Sequence, residues 1–402
     1  MSETSRPSRL RAAVVGMGFI GPHHVDAIRR TGHADVVAVV GSDLARIRAS
    51  AAALGVPRAT VDLDEVLGDR AIDVIHVCTP NRTHVEIATA VLAAGKHLVL
   101  EKPVATDRAG ATALLAAAAR SSRHAMVALT YRGYPMVRRA RAIVAAGSLG
   151  ELRLVHGGYL QDWLARPADY NWRVDPGIGG PSRAVGDIGT HWFDAAEFVS
   201  GVRVEAVLAD LATFIPTRER SVGGATSFAS GGGARERVPV TSEDAATILL
   251  RFAGGARGTA LVSQVSPGRK NAFTLDLAGS ERSLAWAQEE PEELRIAGFD
   301  RTEVLRRDPS AVATDPGAPA GPRAPASPGA PALPAGHPEG WGDALRDLFR
   351  PFYAAVAANE PPPRAGDAPY PTLRDGARGI EFVEAVLQSA TEGRWTALVP
   401  IG

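Results

Sequence analysis

The chain opens with short apolar runs set between helical repeats. β-rich stretches fall at 11–16 (RAAVVG), 36–40 (VVAVV), 73–78 (DVIHVC), 96–101 (KHLVLE) and 125–130 (AMVALT). Between them, Pro22–Arg30, Leu44–Leu54, Thr83–Ala94 and Arg108–Ala119 carry helix-like spacing. Near-continuous apolar strands alternating with helices of this length predict βαβ units around a buried parallel sheet.

Beyond residue 150 the texture changes. Strand-like segments follow one another at 151–157, 202–214, 244–252, 256–265, 271–278, 282–287 and 292–297, with turn signals such as AGGAR at 253–257. Helices are predicted near 135–147, 187–200, 341–358 and 375–392. Residues 131–402 are read as a second, substrate-binding and oligomerisation α+β domain on a large, open, mainly antiparallel sheet. Residues 216–236, rich in Gly, Ser and Arg, and 308–336, dominated by Pro, Ala and Gly, are read as insertions, because such composition buries little apolar surface.

A length of 402 residues also favours two domains. The 44 basic and 44 acidic residues cancel and form no basic block, which argues against nucleic acid as a partner. A single cysteine, Cys78, rules out an internal disulfide and fits a reducing compartment. The polar start MSETSRPSRL lacks a signal-peptide core, and no apolar run nears the roughly 20 residues of a membrane span. A cytoplasmic protein without a membrane partner is expected.

The first chemical signal is AVVGMGFIGPHH, which sets Gly16, Gly18 and Gly21 in G-x-G-x-x-G spacing after a strand and at the start of a helix. Gly16 allows the tight turn, Gly18 lets a pyrophosphate approach the backbone, and Gly21 lets the helix pack closely. Residues 1–130 are therefore expected to form a Rossmann domain binding NAD or NADP, with Phe19 and Ile20 completing the phosphate turn. His23 and His24 read as packing residues. After the second strand, Gly41 stands where an acid would hold ribose hydroxyls. Asp43 follows, while Ser42 and Arg46 could hold a 2′-phosphate, so nucleotide preference stays open.

Two further stretches fall at strand ends, where open α/β sheets bind ligands. CTPNRTH (78–84) brings Thr79, Asn81 and His84, and EKPVATD (101–107) brings Glu101 and Lys102 to the crevice. In the second domain, residues 159–194 interleave Tyr159, Trp163, Tyr170, Trp172 and Trp192 with Gln161, Asn171, Arg173 and Arg183. Aromatic faces beside amides and guanidinium groups suit a sugar ring; a packed loop is the alternative. Asp187 and His191 share a helix face at i and i+4, with Asp194 beyond. On these residues alone Asp187 is equally a helix N-cap. No Cys/His set has zinc spacing, so no metal is expected.

The order and spacing of GxGxxG at 16–21, TPN at 79–81, EKP at 101–103 and Asp-x-x-x-His at 187–191 resembles the Gfo/Idh/MocA oxidoreductase family. The pattern YLQDW…NWR…GG.SRA..DIG.HW, with HPEGW at 337–341, is similar to its sugar (levoglucosan and pyranoside 3-) dehydrogenase branch. The resemblance implies catalytic roles for Lys102, Asp187 and His191, a substrate site including Gln161, Trp163, Asn171, Trp172, Arg173 and Trp341, and a homodimer or homotetramer.

The chemistry asks for such a trio. Oxidising a secondary alcohol removes a proton from oxygen, and a base titrating near neutrality, His191, suits that step. Lys102 would stabilise the developing charge on the same oxygen. Asp187 would bind a neighbouring hydroxyl, hold Lys102, or both. The expected activity is NAD(P)-dependent oxidation of a secondary hydroxyl of a sugar, anhydrosugar or glycoside, with C3 a candidate position. An inositol or other cyclitol dehydrogenase is the alternative, and a non-catalytic nucleotide-binding sensor a further one.

Overall fold

A computed structural model of the chain describes residues 9–221, 235–308, 332–363 and 368–402. The first layer alternates β1 (Leu10–Val15), α1 (Ile20–Thr31), β2 (Ala34–Val40), α2 (Leu44–Leu54), β3 (Arg58–Thr60), α3 (Asp64–Leu67), β4 (Val74–Val77), α4 (His84–Ala93), β5 (His97–Leu100), α5 (Arg108–Ala119) and β6 (Ala125–Val127). The six strands are parallel in the order β3-β2-β1-β4-β5-β6, the Rossmann order. The order reverses between β1 and β4, so the ends of β1, β4 and β5 deliver residues 16–21, 78–83 and 101–103 to one crevice. The short β3 carries no periodic apolar signal, and the hydrophobic pattern misses it.

The second layer contains α6 (Pro135–Ala145), β7 (Leu152–Leu160), α7 (Pro176–Gly179), α8 (Thr190–Ser200), β8 (Val204–Ala212), β9 (Thr217–Ser221), β10 (Arg235–Pro239), β11 (Ala245–Phe252), β12 (Arg257–Ser263), β13 (Ala272–Gly279), β14 (Ser283–Ala287), β15 (Glu293–Ala297), β16 (Thr302–Arg306), α9 (Trp341–Ala357), α10 (Leu373–Glu392) and β17 (Thr396–Ala397). Nine strands join in the order β16-β15-β14-β13-β7-β12-β11-β8-β17. Every pair is antiparallel except β7 with β12, so the sheet is mixed.

Alternation along β11 turns Ala246, Ile248 and Leu250 to the helices and leaves Leu249 exposed. Helix α8 lies on the inner face, where the Trp192 indole donates to the Thr274 carbonyl at 2.9 Å. That approach needs Gly157 on β7: its φ is +149°, and a Cβ there would sit 2.2 Å from the same carbonyl oxygen.

Two readings change. Residues 216–236 are not simply an insertion, because β9 and β10 pair as a hairpin and Arg218 is fully buried against Asp244. The rest of that stretch, and most of 308–336, lie outside the described residues. Helix α9, which follows the Pro/Ala-rich stretch, also packs into the first layer: Leu345, Phe349 and Tyr353 share a core with Val14, Val25 and Ile28. No described helix is long and apolar enough to cross a membrane.

Candidate active site

The glycine turn fits a dinucleotide. Gly16 has φ +94°, and a Cβ there would lie 2.6 Å from the Cys78 carbonyl, so both strain and space require glycine. A Cβ on Gly21 would meet the Gly16 oxygen at 2.3 Å, whereas one on Gly18 would meet nothing within 4 Å. The open side at Gly18 is where a pyrophosphate can approach. No acidic residue and no side-chain cap occupies the first turn of α1, so its N–H groups are left for an anion. Phe19 and Ile20 lie at this turn, with Phe19 largely exposed.

At the second strand, the Asp43 carboxylate caps α2 by accepting from Arg46 N at 2.9 Å, while Ser42 and Arg46 are exposed. After β4, the Thr79 hydroxyl accepts from Thr83, and Asn81 donates to the Gly179 carbonyl at 2.8 Å, tying the first layer to α7. His84 is buried, its ring nitrogens lying 2.7 Å from the Pro103 carbonyl and 2.8 Å from that of Thr79. It therefore joins the TPN and EKP turns to each other. Glu101 is buried too, facing His24 and the Lys102 N–H.

Lys102 leaves the crevice wall and donates from Nζ to Asp187 Oδ1 at 2.8 Å and to the Asp187 carbonyl at 2.7 Å. The same carboxylate accepts Arg173 Nε at 3.1 Å and Gln264 Nε2 at 2.8 Å. Burial pushes the Asp187 carboxyl up, but Arg173 and Lys102 outweigh it and hold it well below the usual carboxylate range. Asp187 is thus not an N-cap. It lies in a π-helical turn, Val185–Gly189, that runs straight into α8, and its carboxylate faces cations instead of backbone N–H groups. π-turns inside helices recur at functional sites because they reaim one side chain.

His191 follows one turn later, its ring edge-on to Tyr131 at 5.2 Å. Burial, then the Lys102 charge, lowers its pKa well below the ordinary histidine value, so the ring is neutral and a weaker base than the near-neutral one expected from sequence. Nδ1 is buried without a partner among the described residues.

Beside it the Tyr131 hydroxyl donates to Tyr159, and Tyr159 donates to Asn271 Oδ1 at 2.5 Å. Gln161 also donates to Asn271, at 2.9 Å, and Trp163 donates to Gln161 at 2.7 Å. Gln161 and Trp163 are thus linked through Asn271 to Tyr159, whose ring lies 6.4 Å from that of His191.

Asn171 and Trp172 support Arg173, while other expected residues lie farther away. Asn171 caps a short turn by accepting from Arg173 N, and Trp172 lies under the Arg173 guanidinium at 4.4 Å. Trp341 packs edge-on against His23 at 5.2 Å, and His23 meets Phe19, which puts Trp341 beside the glycine turn. Arg183 is interior, paired with Asp244, and Asp194 is held by Arg132. Gln264 and Asn271 carried no sequence signal, since single amides at the edges of β12 and β13 look like ordinary strand ends. No metal-binding group of three or more His, Cys, Asp or Glu exists among the described residues.

Comparison with known proteins identifies the family. Residues 10–129 match the model described as "Oxidoreductase family, NAD-binding Rossmann fold", and residues 137–285 match the Gfo/Idh/MocA C-terminal domain. The chain is 31% identical to levoglucosan dehydrogenase of Pseudarthrobacter phenanthrenivorans over 96% of its own length and 97% of that protein's. The chain belongs to the Gfo/Idh/MocA oxidoreductase family. Inositol 2-dehydrogenase of Rhizobium meliloti, another relative, is 28% identical over 72% of this chain and 79% of its own. Among solved structures, levoglucosan dehydrogenase in complex with NADH and L-sorbose superposes with a TM-score of 0.85 at 28% identity, covering 98% of this chain and all of that one. An oxidoreductase domain protein from Kribbella flavida gives 0.84 at 32% identity, covering 97% of this chain and 99% of its own. The family is described as oxidoreductases with an NAD-binding Rossmann fold, and the chain is an oxidoreductase of that family.

Proposed function

We propose that the chain oxidises, reversibly, a secondary hydroxyl of a sugar, anhydrosugar or glycoside, with C3 the favoured position and His191 the general base. The observation that carries this reading is the junction of a neutral His191 with the Lys102–Asp187 ion pair, one helical turn apart, at the mouth of the dinucleotide crevice. A nicotinamide dinucleotide held along Gly16–Gly21 supplies the hydride acceptor. His191 takes the hydroxyl proton. The Lys102 ammonium hydrogen-bonds the same oxygen and offsets its developing negative charge. Asp187, carrying Lys102, Arg173 and Gln264, sets the Lys102 direction and offers an acceptor to a neighbouring hydroxyl. Gln161, Trp163, Tyr159 and Asn271 form the polar-aromatic wall against which a ring with C–H faces and hydroxyl edges can lie.

The levoglucosan dehydrogenase relatives support a pyranose or anhydropyranose substrate, and the inositol 2-dehydrogenase relative keeps a cyclitol as the second reading. Exposed Leu154, Leu249 and Leu261 on the outer face of the nine-stranded sheet support self-association through that face. The deciding assay is a matrix of NAD and NADP against sugars, anhydrosugars, glycosides and inositols, read as nucleotide reduction. Turnover confined to pyranose-type alcohols is the expected result. Turnover confined to inositols selects the second reading, and tight nucleotide binding with no turnover on any alcohol overturns both.

A further inference from the structure

Beneath the glycine turn runs a file of polar groups that the chemistry above does not use. Glu101 Oε1 lies 3.0 Å from His24 Nε2, His24 Nδ1 lies 2.9 Å from His76 Nδ1, and His76 Nε2 lies 2.7 Å from the Tyr353 hydroxyl. The other Glu101 oxygen accepts the Lys102 N–H at 3.2 Å. His24, His76 and Tyr353 are fully buried, and Phe349 sets its ring edge-to-face against both imidazoles. The file crosses four parts of the fold: α1, β4, the end of β5, and α9.

Donor and acceptor counting gives the file one sense. Burial pushes the Glu101 carboxyl up, but His24, Lys102 and His84 outweigh it, so Glu101 is an anion and only accepts. His24 therefore donates from Nε2. With His24 in the singly protonated form the relay requires, its Nδ1 accepts and His76 Nδ1 is the donor facing it. His76 Nε2 is then bare and takes the Tyr353 O–H. Burial and the adjacent His24 hold His76 well below the ordinary histidine range, while burial and Asp73 hold the Tyr353 phenol well above its own. Each contacting atom then has one partner, which is the condition for a buried polar network to be stable.

We propose that Tyr353, His76, His24 and Glu101 form a single-sense hydrogen-bond relay running toward the carboxylate, and that Glu101 is a positioning residue fixing the Lys102 peptide. The relay ties the cofactor helix α1 and the helix α9 to the residue that carries the Lys102 ammonium. The part that concerns turnover rests on the dehydrogenase reading; the relay itself does not.

The test uses the full chain labelled with 15N-histidine and read by long-range 1H–15N NMR near neutral pH, with His24→Gln and His76→Gln giving the assignments. The expected tautomers are Nε2–H for His24 and Nδ1–H for His76. Glu101→Gln reverses the file. Its oxygen must keep the Lys102 N–H, so its NH2 faces His24 Nε2, driving His24 to Nδ1–H and His76 to Nε2–H. Finding His76 as Nε2–H in the unaltered protein, or His24 doubly protonated, or no exchange of tautomers in Glu101→Gln, overturns the relay.

Should Glu101→Gln not fold, Tyr353→Phe removes only the terminal donor. Both tautomers then persist while the His76 Nε2 resonance moves to its unbonded position, and an unmoved resonance overturns the relay. For positioning, Glu101→Gln should shift the Lys102 amide proton and lower kcat about 10- to 100-fold, with KM and nucleotide affinity within about twofold. Loss of nucleotide affinity in place of kcat, or an unmoved amide, overturns it. If the unaltered protein oxidises no alcohol, the dehydrogenase reading fails, while the tautomers and the amide shift still decide the relay.

Discussion

Asp187→Asn probes the centre of the site at almost constant shape. The carboxylate faces two cations and one amide, with Lys102 Nζ at 2.8 Å, Arg173 Nε at 3.1 Å and Gln264 Nε2 at 2.8 Å. An asparagine oxygen can keep the Lys102 and Arg173 side, which places its NH2 against Gln264. Gln264 Oε1 is buried without a partner among the described residues, so a flip of that amide meets the new NH2 and the side chain still fits. What disappears is the charge.

At 2.8 Å and an effective dielectric near 20, one such pair is worth about 6 kcal/mol of Coulomb energy. Desolvation offsets much of it, and breaking a mostly buried pair costs about 3–5 kcal/mol of stability. The Lys102 and Arg173 side chains are 13% and 25% exposed, which favours the lower end. Lys102 keeps its bond to the Asp187 carbonyl but loses its directing anion, so kcat/KM should fall about 10²- to 10³-fold. The Asp187 charge also raises the His191 pKa, so its removal moves the acid limb of kcat/KM to lower pH. The assays are chemical denaturation, nucleotide titration and steady-state kinetics across pH. Nucleotide affinity should stay within about twofold. Turnover within about threefold of the unaltered chain would refute the reasoning, as would an acid limb moved upward.

The glycine turn gives a contrasting pair. Gly18→Ala should leave thermal stability unchanged and raise the nucleotide Kd at least about 10-fold, because its Cβ enters the open cradle; Gly21→Ala should cost about 1–3 kcal/mol of stability through its clash with the Gly16 oxygen. Denaturation and nucleotide titration separate them. Asp244→Asn strands two buried guanidiniums, Arg183 and Arg218, and should cost about 3–5 kcal/mol in denaturation while KM for substrate holds, since neither arginine lines the crevice.

Acid should destabilise the fold below pH 6.5. His76, His84 and His191 have lowered pKa values and His97 is lowered to about 4, so the unfolded chain binds more protons there. That contribution is fully present above 6.5 and is lost as pH falls toward the folded values. His97 alone accounts for about 2 kcal/mol between pH 6.5 and about 5, and stability unchanged between those pH values contradicts the argument.

Much of this was legible because the Rossmann layer repeats a simple pattern. α2 (Leu44–Leu54) and α5 (Arg108–Ala119) begin and end where their periodicity does, and Gly16, Gly18 and Gly21 mark the crevice directly. The misreadings have physical causes. Asp187 after a glycine has the local chemistry of an N-cap, and only Lys102, 85 residues away, and Arg173 show that its carboxylate faces cations. Arg183 reads as one of the polar groups of a sugar site and Arg218 falls within an apparent insertion, yet one carboxylate, Asp244, holds both inside. Gln264 and Asn271 acquire meaning only from strand register, which brings their strands beside β7. His24 reads as a packing residue, but its ring is hydrogen-bonded to partners from β4 and the end of β5, and Tyr353 joins the file from a helix more than 270 residues away from His76.

The claim that His191 is the proton acceptor is tested most directly by the pH dependence of kcat/KM in the unaltered chain and in His191→Ala, on the best alcohol from the substrate matrix. The unaltered chain should show an acid limb below pH 6.5, where the lowered His191 pKa places it. His191→Ala should lose that limb and about 10²- to 10⁴-fold of turnover, with nucleotide binding largely spared. A variant that keeps the acid limb and normal turnover would contradict the account.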